Sequence, residues 1–326
     1  MFVNQLTDFL ILKNQLNDRW TYVMENTSAF RYKLNIRHQK MLEGVFGFVV
    51  QLNCERSTMR RRPQVITSIQ QPFNENEFNF NQVGSCETLI DYIDLIENEN
   101  GIPKKNYVKC LINNSPLTRY HSLVCPNIGE CLPQILTMES IQFVTNMMFG
   151  FADRKYIIGY NSLGAMASVN HLHFHLIWIE EKLFIQNAKT VNLFGEIFTL
   201  DETYPFFALC LPISKQSDIN TFTANLYIVV QHLITMSKPH NLIWTYCQNE
   251  NLELVKVFIF PRNYFSDKHQ SGFNVAFCEL GGFVPVGDEN EFMKLTENAV
   301  IDNINRELGS LDSQRLISEI REKLLG

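Results

Sequence analysis

His171, His173 and His175 alternate with Leu172, Phe174 and Leu176 in the stretch that runs to Trp178. On an extended strand this spacing predicts three imidazoles on one face and three large apolar side chains on the other. A core strand has no use for such a row. Its chemistry is nucleophilic attack at phosphorus, because neutral imidazole attacks near pH 7 without a metal to activate it. One ring nitrogen must then hold its proton against a fixed acceptor, often a backbone carbonyl, while the other turns its lone pair to the substrate. Upstream, residues 161–170 are, apart from Leu163 and Met166, small or carry amides and hydroxyls, a composition that lets backbone N–H groups close on an oxyanion. Asn161, Ser162, Gly164 and Ser168 are its candidate phosphate-binding residues, and the two stretches together read as a phosphate cradle feeding a histidine nucleophile.

Alternating histidines can also bind zinc or iron. That reading ranks second, because a metal site has no need of the upstream run and no further His, Cys, Asp or Glu stands at recognisable ligand spacing. The expectation is neither metal nor cofactor. His38, His121, His232, His240 and His269, taken singly, are expected to be satisfied surface or core residues. Arg60-Arg61-Arg62 is the only basic run. It is open between a solvated turn before Pro63 and a place where one arginine, with Arg62 the candidate, reaches a substrate phosphate.

The His-x-His-x-His pattern followed by two apolar residues resembles the signature of the histidine-triad superfamily of nucleotide hydrolases and transferases, which includes galactose-1-phosphate uridylyltransferase. Further motifs are similar to those of the GDP-hexose phosphorylases, the animal GDP-D-glucose and plant GDP-L-galactose enzymes. They include Phe46 to Asn53, Arg61-Arg62-Pro63, Gln71-Pro72-Phe73, Phe78-Asn79-Phe80, Asn113 to Leu117, Cys131 to Gln134, Gly159 to Ala165, Asn170 to Phe174 and, after a thinner stretch, Phe273 to Leu280. Several motifs in family order are more specific than a lone triad.

The resemblance implies an α+β histidine-triad fold, with an antiparallel sheet and flanking helices, open to two half-barrel-like units as in the uridylyltransferase. It implies GDP-glucose and inorganic phosphate as substrates, giving GDP and glucose 1-phosphate through a guanylyl-histidine. His173 maps to the nucleophile, His171 to the residue whose carbonyl holds the nucleophile's N–H, and His175 to a residue beside the phosphate. Plant members carry Gln at the third position, which argues against His175 as sole general acid. Tyr120 departs from the glycine that relatives tend to have there, and its ring is expected to alter the pocket wall. A hydrolase with water as acceptor, or a guanine-nucleotide-binding relative without turnover, are the competing readings.

Composition is compatible with an intracellular enzyme. With 326 residues, 45% of them hydrophobic, the chain can bury one large core or two smaller ones. A formal charge of −6 argues against a nucleic-acid surface. Eight cysteines without a CxxC pair argue for a reducing compartment, and so for the cytoplasm. The first thirty residues carry Asp8 and Asp18 and no long apolar run, so neither signal peptide nor membrane partner is expected. Oligomeric state is open between monomer and homodimer.

To position these residues, the spacing predicts helices near 5–18 and 23–42, a strand over 44–52, a loop at 74–82, and strands at 107–112 and 122–125. A helix over 137–149 precedes the catalytic strand at 171–179. After a polar, less patterned segment come a helix over 220–237, strands at 242–247 and 253–260, and a terminal helix from about 290 to 324. The expected division puts the catalytic half at 1–185 and a second half at 186–326, packed as one unit.

Overall fold

The computed structural model describes residues 2–61, 63–97, 103–249, 252–266 and 273–326, so Arg62 and His269 lie outside the described residues. Among them the helices are α1 (Phe2–Asn26), α2 (Cys54–Met59), α3 (Met138–Phe151), α4 (Phe184–Asn187), α5 (Ile219–Thr235), α6 (Phe277–Leu280), α7 (Glu289–Lys294), α8 (Glu297–Leu308) and α9 (Ser313–Leu325). The strands are β1 (His38–Met41), β2 (Val49–Leu52), β3 (Thr88–Glu97), β4 (Pro103–Ile112), β5 (Ser122–Pro126), β6 (Tyr156–Asn161), β7 (Phe174–Trp178), β8 (Thr190–Phe194), β9 (Ile197–Leu200), β10 (Leu209–Ser214), β11 (His240–Asn249), β12 (Leu252–Pro261) and β13 (Phe283–Val286).

Ten strands form one antiparallel sheet in the order β3-β4-β5-β7-β6-β11-β12-β10-β9-β8. The five that precede residue 179 occupy one end, the five that follow occupy the other, and they meet where β6 pairs with β11. A small second sheet, β1-β2-β13, lies apart from it. The architecture is α+β, with a large antiparallel sheet and flanking helices, as expected.

Period-two alternation sorts the side chains. Leu172, Phe174 and Leu176 join Ile158, Trp244 and Val257 in one core, which α1, α3, α5 and α9 cover. Ile157, Ile177, Ile243 and Phe258 point the other way into a second core with β2, α8 and β13. His173 and His175, out of phase with Phe174, therefore stand on the face away from α1, α3 and α5.

Four expectations need correction. Residues 23–42 are not a second helix: α1 runs on to Asn26, and the Thr27 hydroxyl takes the Ala29 N–H (3.3 Å), which turns the chain out of the helix. The strand expected over 44–52 begins only at Val49, because the N–H groups of Val45, Phe46 and Gly47 are held by the Glu297 carboxylate at 2.6, 2.9 and 2.9 Å and cannot join a ladder. The terminal helix is three helices. Thr296 caps α8 through Ala299 N–H (3.3 Å), Gly309 at φ +71° ends it, and Asp312 caps α9 through Arg315 N–H (3.0 Å). The unpatterned segment after residue 185 contains β8, β9 and β10, of which β8 is a largely exposed edge strand where alternation is weakest.

Candidate active site

The triad strand enters its ladder late. β7 begins at Phe174 because both backbone groups of His173 bond to one side chain: Gln134 Oε1 accepts the His173 N–H (2.9 Å) and Gln134 Nε2 donates to the His173 carbonyl (3.0 Å). Gln134 also donates to the Asn161 carbonyl (2.9 Å), takes the Tyr160 hydroxyl on its own carbonyl (2.7 Å) and gives its N–H to Asn170 Oδ1 (2.9 Å). It thereby ties the triad to β6 and to the loop between them.

The ring of His173 is oriented from behind. Its Nδ1 lies 2.8 Å from the His171 carbonyl, an acceptor only, so Nδ1 carries the proton and Nε2 keeps its lone pair. No described residue bonds to that Nε2. Burial pushes the ring down to about 4, against the raising effect of the His171 carbonyl, so at pH 7 it is neutral and nucleophilic. His171 itself is spent on support. Its Nδ1 accepts the Phe80 N–H (3.1 Å), its Nε2 meets the Ile128 carbonyl (3.1 Å), and its ring stacks on Phe80 with centres 5.6 Å apart.

His175 is set by a fourth histidine. His121 Nδ1 accepts the Leu117 N–H (2.9 Å), so the proton of the neutral His121 ring sits on Nε2, 3.1 Å from His175 Nδ1. His175 must then carry its own proton on Nε2. The Asn113 amide nitrogen also lies 3.0 Å from His121 Nε2; two donors meet there and add no bond, since Asn113 Oδ1 is held by the Ser115 N–H (3.0 Å). Burial first, then the charges of His173, His121 and Arg56, keep His175 well below the usual histidine value. Phe277 stacks on His175 at 5.4 Å. This requires Gly159 in the adjacent strand, where a Cβ would meet the Phe277 ring at 2.0 Å. His121 is thus the satisfied core residue expected, and it also sets the ring of His175.

The rings of Phe80, His173, His175 and Phe277 line a cavity of about 530 Å³, within the range that holds a small-molecule ligand. His173, His175, Asn161 and Ser168 reach it; Ser162 and Gly164 are not among its walls. The Ser162 hydroxyl accepts the His240 N–H (2.8 Å), and its carbonyl takes the Ala165 and Ala167 N–H groups (3.0 and 3.4 Å). Two amides of the expected cradle are therefore committed to the turn itself. Gly164, at φ +75°, is glycine because a Cβ would lie 2.6 Å from Phe265. Asn161 Oδ1 anchors the far wall through Asn241 Nδ2 (2.7 Å) and the Phe277 N–H (3.1 Å). Tyr120 does not alter the wall: its ring packs on Trp20 and Trp178 (5.7 and 6.0 Å), away from the cavity. Its φ of +62° is the left-handed conformation that glycine adopts without strain.

A family model described as GDPGP1-like, N-terminal domain, matches residues 11–177, and its counterpart, GDPGP1-like, C-terminal domain, matches 185–316. The chain belongs to the GDPGP1-like family. Among curated relatives, GDP-D-glucose phosphorylase 1 of Xenopus laevis is 33% identical over 89% of this chain and 82% of its own. That of Danio rerio is 32% identical over 90% and 85%, and GDP-L-galactose phosphorylase 2 of Arabidopsis thaliana is 32% identical over 50% and 41%. The fold is shared with yeast Ap4A phosphorylase Apa2 in complex with Ap4A, at TM-score 0.62 and 18% identity over 91% of this chain and 97% of that one.

For this family member, sequence reasoning left Gln134, His121, Arg56, Phe277 and Glu279 without roles at the site. Gln134, Phe277 and Glu279 lie in motifs that carry the family resemblance, so a signal existed without a function attached to it. Arg56 had none beyond its type. Among the described residues no group of three or more His, Cys, Asp or Glu side chains could hold a metal ion, and no helix is long and apolar enough to cross a membrane.

Proposed function

We propose that the chain transfers the GMP group of GDP-glucose to inorganic phosphate, giving GDP and glucose 1-phosphate. His173 Nε2 attacks the α-phosphorus, the bond to the β-phosphate oxygen breaks, and glucose 1-phosphate leaves. The guanylyl-imidazolium keeps its Nδ1–H on the His171 carbonyl. A phosphate oxygen then attacks the same phosphorus, the P–N bond breaks, and the electron pair returns to Nε2. The observation that carries this reading is the 2.8 Å bond from His173 Nδ1 to the His171 carbonyl, which leaves Nε2 as the nucleophilic nitrogen of a ring lining the cavity. His175, with its proton on Nε2, donates a hydrogen bond to a phosphoryl or leaving oxygen; the sugar phosphate is a weak base and needs no full proton transfer. Asn161 and Ser168 supply polar contacts beside it, and Arg62 stays a candidate contact to phosphate. The names of the relatives support glucose as the sugar and phosphate as the acceptor. Eight cysteines outside any disulfide support a reducing compartment such as the cytoplasm.

GDP-glucose labelled in its α-phosphate, with phosphate omitted, is expected to leave acid-labile label on the protein, whereas label in the sugar is not retained. Added phosphate should discharge the adduct as GDP, and initial rates should give parallel double-reciprocal lines. Intersecting lines with no trapped adduct would mean direct attack by phosphate on bound substrate.

A further inference from the structure

The arginines around the cavity divide into two kinds. Arg61 lies over the Phe78 ring, 3.1 Å from its centre, beside the apolar cluster of Phe80, Leu111, Leu123 and Val169. All three line the cavity, but among the described residues Arg56 and Arg60 have no such ring beneath them and keep their charge unspent. Arg56 donates to the Ser115 carbonyl. Arg60 faces the Asn274 amide, whose oxygen, turned toward the guanidinium, lies at 3.1 and 3.2 Å. Among the described residues no carboxylate comes within 4.0 Å of either. The chain has 34 acidic residues, so unpaired guanidiniums here do not reflect a shortage of partners.

Glu279 lines the same cavity, and its charge raises Arg60 while that of Arg56 lowers Glu279, but the carboxyl pairs with neither guanidinium. Glu279 is 4% exposed, and its carboxyl accepts the Ala276 N–H (2.7 Å) and meets Cys278 Sγ (3.0 Å). Burial raises it toward the neutral form. The two guanidiniums also act on each other: burial, then the charge of Arg56, lowers Arg60. Arg56 is felt as far as His121 and His175. Two like charges that no carboxylate pairs directly are relieved by an anion, and a tetrahedral phosphate with two charges fits a pair of forked donors.

We propose that Arg56 and Arg60 form the subsite for the phosphate that leaves with the sugar and, once it has gone, for the inorganic phosphate that replaces it, and that this pair makes phosphate rather than water the acceptor. The inference rests on the guanylyl-His173 reading. In each half-reaction the bond opposite Nε2 is the one that breaks or forms, so the entering phosphate comes in where the departing one left. In the second step a phosphate oxygen forms the new P–O bond as the P–N bond breaks, and any proton on that phosphate passes to solvent with GDP.

The test uses the full chain and its Arg56→Gln, Arg60→Gln and Arg60→Lys variants. Arg60 stands at the exposed rim, so its variants remain informative if Arg56→Gln fails to fold. Isolated guanylyl-protein is chased with graded inorganic phosphate or with buffer alone, and GDP and GMP are counted. In both Gln variants the phosphate concentration for half-maximal discharge should rise at least tenfold, with the GMP-to-GDP ratio rising in step. The slow discharge by water should stay within about twofold of the unaltered chain, and Arg60→Lys should recover part of the loss. Phosphate dependence unchanged in Arg60→Gln would overturn the proposal, as would discharge by water and by phosphate falling together, the mark of a merely structural role. If the unaltered chain forms no adduct, the covalent reading fails on its own. The subsite is then judged by the steady-state KM for phosphate, which must still rise tenfold in Arg60→Gln to sustain it.

Discussion

His173 and His240 are built alike and placed differently. His173 immediately precedes β7 and His240 opens β11, the two strands that flank β6. Each sets Nδ1 against the carbonyl two residues back, at 2.8 Å to His171 and 3.0 Å to Lys238. Each has its backbone N–H and carbonyl taken by a single polar residue, Gln134 for His173 and Ser162 for His240. Burial pushes both rings down to about 4. They part at Nε2. That of His173 belongs to a ring on the cavity wall, whereas that of His240 is buried without a partner, in a ring stacked at 6.0 Å on Tyr160. Tautomer control and a depressed pKa therefore do not make a nucleophile. What separates the proposed nucleophile is access to the cavity, which is why a perturbed titration alone is a weak guide to a site.

The sharpest way to break this comparison is to remove each ring in turn. His173→Ala should lose turnover by several orders of magnitude while keeping its fold and nucleotide affinity, because the attacking atom is gone. His240→Ala should keep turnover in proportion to the folded protein. Single-turnover formation of the labelled adduct measures both. More than a few per cent of the normal rate in His173→Ala would remove His173 from its role.

Acid probes what the two rings share. Their neutral forms are favoured by the fold, from an ordinary value of 6.5 down to about 4. The unfolded chain thus binds protons that the folded one refuses. Stability is fully present above pH 6.5 and drains as pH falls toward 4, by about 2 kcal/mol per ring between pH 7 and 5. Urea midpoints should fall steeply over that interval, while kcat per folded molecule stays nearly flat because His173 remains neutral. A rate that falls with a midpoint near 6.5 in fully folded protein would show that the nucleophile titrates as if exposed.

How much of this was legible in the sequence depends on the range of the interaction. The triad, its alternation and the strands at 107–112, 242–247 and 253–260 follow from period-two patterns that side-chain sorting across one sheet enforces. The terminal helices were misread as one because amphipathic spacing runs on through Gly309 and Asp312, and it outweighed cap residues that were present. The fourth histidine was read as bland since nothing local relates His121 to a residue 54 positions on; antiparallel pairing of Leu123 with His175 brings them together. Gln134 acts through backbone groups 39 residues away, a relation no spacing rule encodes. Ser162 and Gly164 fit the cradle by type, yet the turn they build uses them to hold itself and His240.

The relay from Leu117 through His121 to His175 is a finer feature that His240 lacks. His121→Phe leaves His175 Nδ1 without a donor and frees its proton to settle on either nitrogen. Turnover should fall about tenfold to a hundredfold, less than the loss of a whole oxyanion donor brings at its upper end. Nitrogen chemical shifts of the His175 ring would read the tautomer directly. A proton on Nδ1 in the unaltered chain would contradict the relay.

The smallest effect is expected at His240. His240→Leu removes one hydrogen bond, from Nδ1 to the Lys238 carbonyl, and with it an Nε2 that is buried without a partner. The first change costs and the second relieves, each on the order of 1 kcal/mol, so stability at pH 7 should move by no more than about 1 kcal/mol in either direction. The same variant should lose one ring's share of the acid dependence and so gain about 2 kcal/mol relative to the unaltered chain at pH 5. Urea unfolding at the two pH values separates these contributions. Should His240→Leu instead keep its stability and lose turnover a hundredfold, the buried ring would be coupled to chemistry through Ser162 and the 161–168 turn, and the contrast between the two histidines would be one of distance from the substrate rather than of function.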